Sequence, residues 1–139
     1  MINVTADTNI YISALVFAGV PRQFLKEAEA GRFRLAISDA IRGELQGVLR
    51  DKFSWAEAEI TETLSLLAGC TTLVEPTQML NVVPDDPDDN RVIECAVAAG
   101  SRFIVTGDGD LLRLGSYGNI KILKAAEFLK LVEDPAANE

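Results

Sequence analysis

The chain contains no histidine. That absence removes the commonest general base, the Ser-His and Cys-His nucleophile pairs and nearly all zinc sites. Cysteine is scarce as well: Cys70 and Cys95 have no paired spacing and read as reduced small hydrophobes rather than as a disulfide or a metal knuckle. No apolar run approaches the roughly 20 residues that a membrane helix needs. The N-terminus lacks the basic stretch and apolar core of a secretory signal, so a cytoplasmic protein without membrane attachment is expected. Basic side chains are in deficit, 13 Lys and Arg against 21 Asp and Glu, for a formal net charge of −8. Such a balance opposes tight non-specific binding to nucleic acid, which depends on neutralising phosphates, and any strand contact needs a local basic patch. Hydrolytic chemistry in this chain has to run through carboxylates, hydroxyls or a metal-bound water.

What is present is an ordinary globular composition, 48% hydrophobic over 139 residues. It fits one domain, expected over 1–132, with a flexible C-terminal tail over 133–139. Apolar runs and periodicity predict strands at 2–6, 33–37, 71–75, 102–106 and 120–123. Helices are predicted at 9–17, 21–30, 39–51, 55–69, 87–99 and 125–132. Ser54-Trp55-Ala56-Glu57 has the form of a capping box, and Asp86-Pro87-Asp88-Asp89 that of a helix start. Short apolar strands alternating with amphipathic helices specify an α/β fold. A three-layer α/β/α sandwich is expected, around a central, mainly parallel sheet of about five strands.

Against that frame four carboxylates stand out. Asp7 ends the apolar run Ile2-Asn3-Val4-Thr5-Ala6, and Asp108 ends Phe103-Ile104-Val105-Thr106-Gly107. Both therefore fall at carboxyl ends of strands, where ligand sites form in open α/β sheets. Glu44 and Asp89 lie on predicted helices, in register with inward stripes: Ile41, Glu44, Leu45 and Val48, then Asp89, Val92, Ile93 and Ala96. Carboxylates are almost never buried without a partner. Each has a plainer reading: Asp7 as a helix cap, Asp89 as an acid complementing a helix dipole, Glu44 as half of a buried salt bridge to an Arg. Asp108 and Asp110 share an ordinary turn composition, with Asp110 as a cap for 111–114, and Asp85, Asp86 and Asp88 suit loop and capping duty. Four acids converging on one sheet rim go further than any one alone, and a divalent cation relieves their repulsion. An all-oxygen donor set suits Mg²⁺ or Mn²⁺. The chemistry that follows is attack of a metal-activated water on a phosphodiester.

Val4-Thr5-Ala6-Asp7-Thr8-Asn9-Ile10-Tyr11-Ile12-Ser13-Ala14 resembles the opening of PIN-domain ribonucleases. Ser38 with Glu44-Leu45, then Asp85-Asp86-Pro87-Asp88-Asp89-Asn90, then Val105-Thr106-Gly107-Asp108-Gly109-Asp110-Leu111-Leu112, match the remaining motifs in order. The likeness spans nearly the whole chain and is greatest to VapC-like toxin components of toxin–antitoxin systems. It implies a PIN-like sandwich, Mg²⁺ or Mn²⁺ dependence and endonucleolytic cleavage of RNA. It further implies catalytic and metal-binding roles for Asp7, Glu44, Asp89 and Asp108, with Asp110 a fifth acid. Asn9 and Thr106 correspond to polar accessory positions that orient ligands or water. Asp89 is preferred to Asp86 because it continues the apolar stripe and lies seven residues before Ala96. A homodimer and a small antitoxin protein are the partners such a likeness implies, and Arg22, Lys26, Arg42, Arg50 and Lys52 are candidates for a basic rim.

Two other readings compete. A haloacid dehalogenase-like phosphatase also has an Asp after its first strand, but it needs a second Asp two residues on, where this chain has Asn9. A receiver domain clusters two acids at the first strand and needs a strand-end lysine. A PIN-like fold retained as a non-catalytic binding or regulatory module is the alternative outside enzymology.

Overall fold

The computed structural model describes residues 1–133. Its chain runs β1 (Asn3–Ala6), α1 (Thr8–Val16), α2 (Val20–Glu29), β2 (Arg34–Ser38), α3 (Asp39–Asp51), α4 (Glu57–Ala68) and β3 (Thr71–Val74). It continues with α5 (Pro87–Ala99), β4 (Phe103–Val105), α6 (Gly109–Leu114), β5 (Ser116–Tyr117), β6 (Ile120–Leu123) and α7 (Ala125–Glu133). The strands form one sheet in the order β3-β2-β1-β4-β6-β5, parallel throughout except for the final β5–β6 pair. The expected three-layer α/β/α sandwich with a mainly parallel sheet is what the chain forms. The expected tail over 133–139 lies outside the described residues beyond Glu133, the last residue of α7. No helix among the described residues is long and apolar enough to cross a membrane.

Three local expectations are corrected. Among the described residues the sheet has six strands rather than about five, because Ser116–Tyr117 turns back on Ile120 through Gly118-Asn119. Gly118 has φ +57°, and glycine at the first position of a two-residue loop is a recognised hairpin signal. The helix at 55–69 starts later, at Glu57, with Ala56 rather than Ser54 at its N-cap. Ser54 instead takes a left-handed backbone, φ +56°, while Trp55 N–H closes the end of α3 on Leu49 O at 3.0 Å. Glu59 then accepts from Ala56 N–H at 3.1 Å, and Glu57 is drawn off into an ion pair with Arg50. The short helix at 111–114 begins at Gly109 and is capped by Asp108, not by Asp110, which pairs with Arg113.

The strands are apolar enough to be buried on both faces: Val4, Ala6, Leu35, Ile37, Ile104 and Val105 are all buried. Helix α5 lies across β1, β2 and β4, presenting Val92, Ile93, Cys95 and Ala96 to the core. At the rim where the parallel strands begin, Phe24, Phe33, Phe103 and Phe128 interlock. Phe128 has edge-to-face contacts with the other three at centroid distances of 5.6, 4.9 and 5.5 Å. Such geometry adds to the burial of area alone. It ties α2 and α7 to the sheet and leaves the opposite rim free for polar residues. Phe128 is fully buried, so Phe128→Ala should lower unfolding free energy by about 3–5 kcal/mol. Urea titration would measure this, and a loss below about 1 kcal/mol would contradict the docking of α7.

Candidate active site

Where β1 and β4 end, Ala6 is registered with Val105. The next residue of β1 stays on the ladder, because Asp7 N–H donates to Val105 O at 3.1 Å. Asp7 is buried, and its Oδ1 accepts from Ile10 N–H at 3.0 Å, capping α1. Its Oδ2 accepts from the buried Thr106 hydroxyl, which itself accepts from Asp108 N–H at 2.9 Å. Asp108 in turn caps α6 through Oδ2, which accepts from Leu111 N–H at 3.0 Å. The capping reading and the site reading of these two acids are thus compatible: the caps hold the carboxylates at the rim.

The helices deliver the rest. Asp7, Thr8, Asn9, Glu44, Asp86, Asp88, Asp89, Val92 and Asp108 line one cavity of about 140 Å³. All four acids singled out from the sequence are there, together with Asp86 and Asp88, which had been assigned to capping. Asp86 does cap α5, accepting from Asp88 N–H at 3.2 Å, and faces the cavity as well. Asn9 lines it from an exposed position and Thr106 supports it from beneath. Asp110 stands one step aside, its carboxylate held by Arg113, yet one of its oxygens lies within 4.8 Å of oxygens from Asp86, Asp89 and Asp108. No salt bridge forms at Glu44, so the Arg partner weighed for it is not there among the described residues.

Sequence reasoning overlooked Asn90 and Glu94. Asn90 is buried in α5, accepting from Val82 N–H and Val83 N–H and donating to Val83 O, each at 2.8 Å. Glu94, also buried, accepts from Leu80 N–H at 2.7 Å and from Arg91. These contacts fasten the loop that carries Asp86 onto the helix that carries Asp89. The available signal was an amide and an acid at i and i+4 on an inward stripe, facing a loop whose backbone had no other partner.

No lysine or arginine lines the cavity, so its charge is handled by protons. Burial pushes Asp7 above the usual carboxylate range, assisted by the charge of Asp108 and opposed by the Thr106 hydroxyl and Ile10 N–H. Glu44 is pushed up to about 7, first by burial and then by the charge of Asp88, against a hydrogen bond from Thr8. Asp89 is pushed up to about 8 by burial, by its hydrogen bond to Asp108 and by the charges of Asp108, Asp86 and Asp7. Asp108 goes the other way: burial raises it, but hydrogen bonds from Asp89 and from the N–H groups of Leu111 and Asp110 outweigh that. Asp89 therefore holds the shared proton.

One oxygen remains unexplained by this scheme: Oδ2 of the buried Asp89 has no hydrogen-bond partner. A hard divalent cation fits it and the donor set together. Magnesium binds oxygen at about 2.1 Å, which places oxygens on opposite sides of the ion about 4 Å apart, close to the spacing in the Asp86, Asp89, Asp108 and Asp110 group. Asp86, Asp89, Asp108 and Asp110 offer the oxygens that would hold it, whereas Asp7 and Glu44 line the same cavity but fall outside that group.

A pH dependence follows. Asp89 and Glu44 bind protons more tightly in the folded chain than in the unfolded one. Their contribution to stability is complete at acid pH and is lost as pH rises through about 7 and about 8. In EDTA the melting temperature should fall between pH 6 and pH 8.5, and Mn²⁺ should raise it more at the upper end, where the ligands have fewer protons to release. Scanning calorimetry with and without the ion is the check. A melting temperature indifferent to Mn²⁺ at every pH would rule out the metal.

With this geometry in place, comparison with known proteins supplies the kinship. A PIN domain family model matches residues 3–110. That span includes every acid lining the cavity. An uncharacterized protein of Methanocaldococcus jannaschii, MJ1680, is 32% identical over 119 residues, covering 81% of this chain and 75% of the relative. Fold, motif order and matched span agree, and this chain belongs to the PIN domain family.

Proposed function

We propose that the chain is a Mg²⁺- or Mn²⁺-dependent endoribonuclease and the toxin of a toxin–antitoxin pair. PIN domains are generally nucleases, and PIN nucleases use divalent metals. The observation that carries the reading is Asp89, buried with an oxygen that nothing in the protein satisfies, in a cavity with six carboxylates and no lysine or arginine. A divalent cation among these oxygens would satisfy it and offset the repulsion of the cluster together. The preference for RNA, the toxin role, a small antitoxin protein and a homodimer are supported by the motif resemblance.

When bound, such an ion polarises phosphoryl oxygens and makes water a stronger acid. The chain supplies placement. Asp7 and Asp108 present carboxylate oxygens fixed by caps and by Thr106, and Asp89 adds its own from the first turn of α5. Glu44 is half-buried at the more open side, held by Thr8. With its affinity for a proton raised toward neutrality, its carboxylate is suited to take the proton of the attacking water. Asn9, exposed at the mouth, is in reach of a phosphate or water. A phosphatase-type nucleophile at Asp7 has no support: both its oxygens already accept hydrogen bonds, and Asn9 replaces the general acid.

Asp7→Asn and Glu44→Gln should each lower Mn²⁺-dependent cleavage of RNA by about 100-fold or more. Asparagine retains the N-cap at position 7, so the fold should survive, with the melting curve in EDTA as the control. Cleavage-site mapping on total RNA is the assay. Undiminished cleavage in EDTA, or by both variants, would sink the proposal.

A further inference from the structure

Glu44 lines two depressions, the acidic cavity and a wider groove of about 570 Å³ that it shares with Gly47, Val48, Asp51 and Lys52. The groove follows α3 beside α1. Thr8 meets Glu44 at one end of these helices, and Phe17, just past α1, meets Phe53, just past α3, at the other. Nine residues of helix rise roughly 14 Å, so the aromatic pair is too far away to touch the reacting phosphate. Phe17 is 55% exposed and stands edge-on to Phe53 at a centroid distance of 6.2 Å. Lys52, which lines the groove, has its Nζ 5.8 Å from the Phe53 centroid, and Arg22 Nε donates to Ala14 O, in the last turn of α1, at 3.2 Å. Neither forms a salt bridge among the described residues, whereas Arg32, Arg42, Arg50, Arg91 and Arg113 all do.

Lys52 lines the groove and links it to the exposed ring, and the groove shares Glu44 with the acidic cavity; Asp51 is the other charge on its lining. Such an arrangement has the chemistry to hold a single-stranded nucleic acid, a face for a base and a cation for the backbone. Helix α3 adds a second indication. Gly47 is interior to the helix, where glycine is unfavourable, yet a Cβ there would meet nothing within 4 Å. No contact inside the protein needs that glycine, and its absent side chain leaves the groove floor open to a closely approaching strand.

We propose that this groove leads a single-stranded RNA from the acidic cavity to the aromatic pair, so that a base farther along the strand than the scissile phosphate stacks on Phe17 and a backbone phosphate meets Lys52. The inference rests on the nuclease reading above. Its test is fluorescence anisotropy with a labelled single-stranded RNA and an abasic oligomer of equal length and charge, in the Asp7→Asn background so that binding is seen without cleavage. Phe17→Ala should weaken RNA binding by about tenfold, leave the abasic oligomer unaffected and be rescued by Phe17→Trp. Gly47→Ala should weaken RNA binding while raising the melting temperature, as alanine does in a helix. Unchanged RNA affinity in both variants, or equal losses on both oligomers, would overturn the subsite. So would a dimer-to-monomer shift in sedimentation on either substitution, which would make this face a self-association surface. Failure of the parent protein to bind RNA while Mn²⁺ still raises its melting temperature removes the subsite and leaves the metal centre standing. Loss of the Mn²⁺ effect itself is the separate failure of the nuclease reading.

Discussion

Parallel pairing of β1 with β4, which sets Ala6 opposite Val105, is the constraint from which the site follows. The residues that come next on the two strands, Asp7 and Thr106, leave the ladder side by side while their N–H groups are still held, by Val105 O and Leu123 O. One hydroxyl then serves two acids: Thr106 donates to Asp7 and accepts from the backbone of Asp108. Each acid opens a helix, so the carboxylate oxygens are aimed by cap geometry, which is among the better-defined side-chain arrangements available. Slip that register by one residue and Asp7 would face the opposite side of the sheet. The acids are positioned by backbone, and that leaves the cavity free of balancing cations.

The freedom has an energetic consequence. Two unit charges about 5 Å apart, at an effective dielectric of about 20, repel by about 3 kcal/mol. A chain selected only for stability would place an arginine among them, and this one has arginines to place. They neutralise Glu57 on α4, Asp110 on α6 and Glu94 on α5, all outside the cavity. Within it Asp89 and Glu44 instead hold protons more tightly, through burial first and then the neighbouring acids. Protons are easily displaced by a divalent ion, whereas a guanidinium is not. The interlocked phenylalanines at the far rim supply the compensating stability, and their separation from the acids lets one end of the molecule be strained while the other is dense.

Much of this was legible in the residues because the signals are local. Apolar runs of strand length, Pro87 and Asp86 at a helix start and the inward register of Asp89 are each decided within a few positions, and the structure agrees with them. What escaped was long-range or competitive. Ser54 lost its cap role because the exit of α3 demanded a left-handed residue there, a requirement set by Leu49 and Trp55. Glu57 was diverted by Arg50, seven residues earlier. Asp86 and Asp88 were assigned to capping because their sequence context satisfies that role, and nothing local says that a cap can also face a cavity. Asn90 and Glu94 matter through a loop that only the tertiary structure brings against them.

The acidity that opposed nucleic-acid binding also looks different once located. Six carboxylates line the acidic cavity. Setting those six aside takes the formal net charge from −8 to −2, so the remainder of the molecule is close to neutral. On the proposed reading, a strand along α3 would meet the exposed ring, Lys52 and Asp51 before it meets the acidic cavity. With few phosphates neutralised on that path, affinity on the proposed reading would come chiefly from stacking and from the cation that the acids would hold. Net charge averaged over the chain describes how it behaves toward bulk polyanions. Recognition of a strand is decided by the few charges within a Debye length of the groove, and there Lys52 stands beside the aromatic pair while Glu44 and Asp51 share its lining.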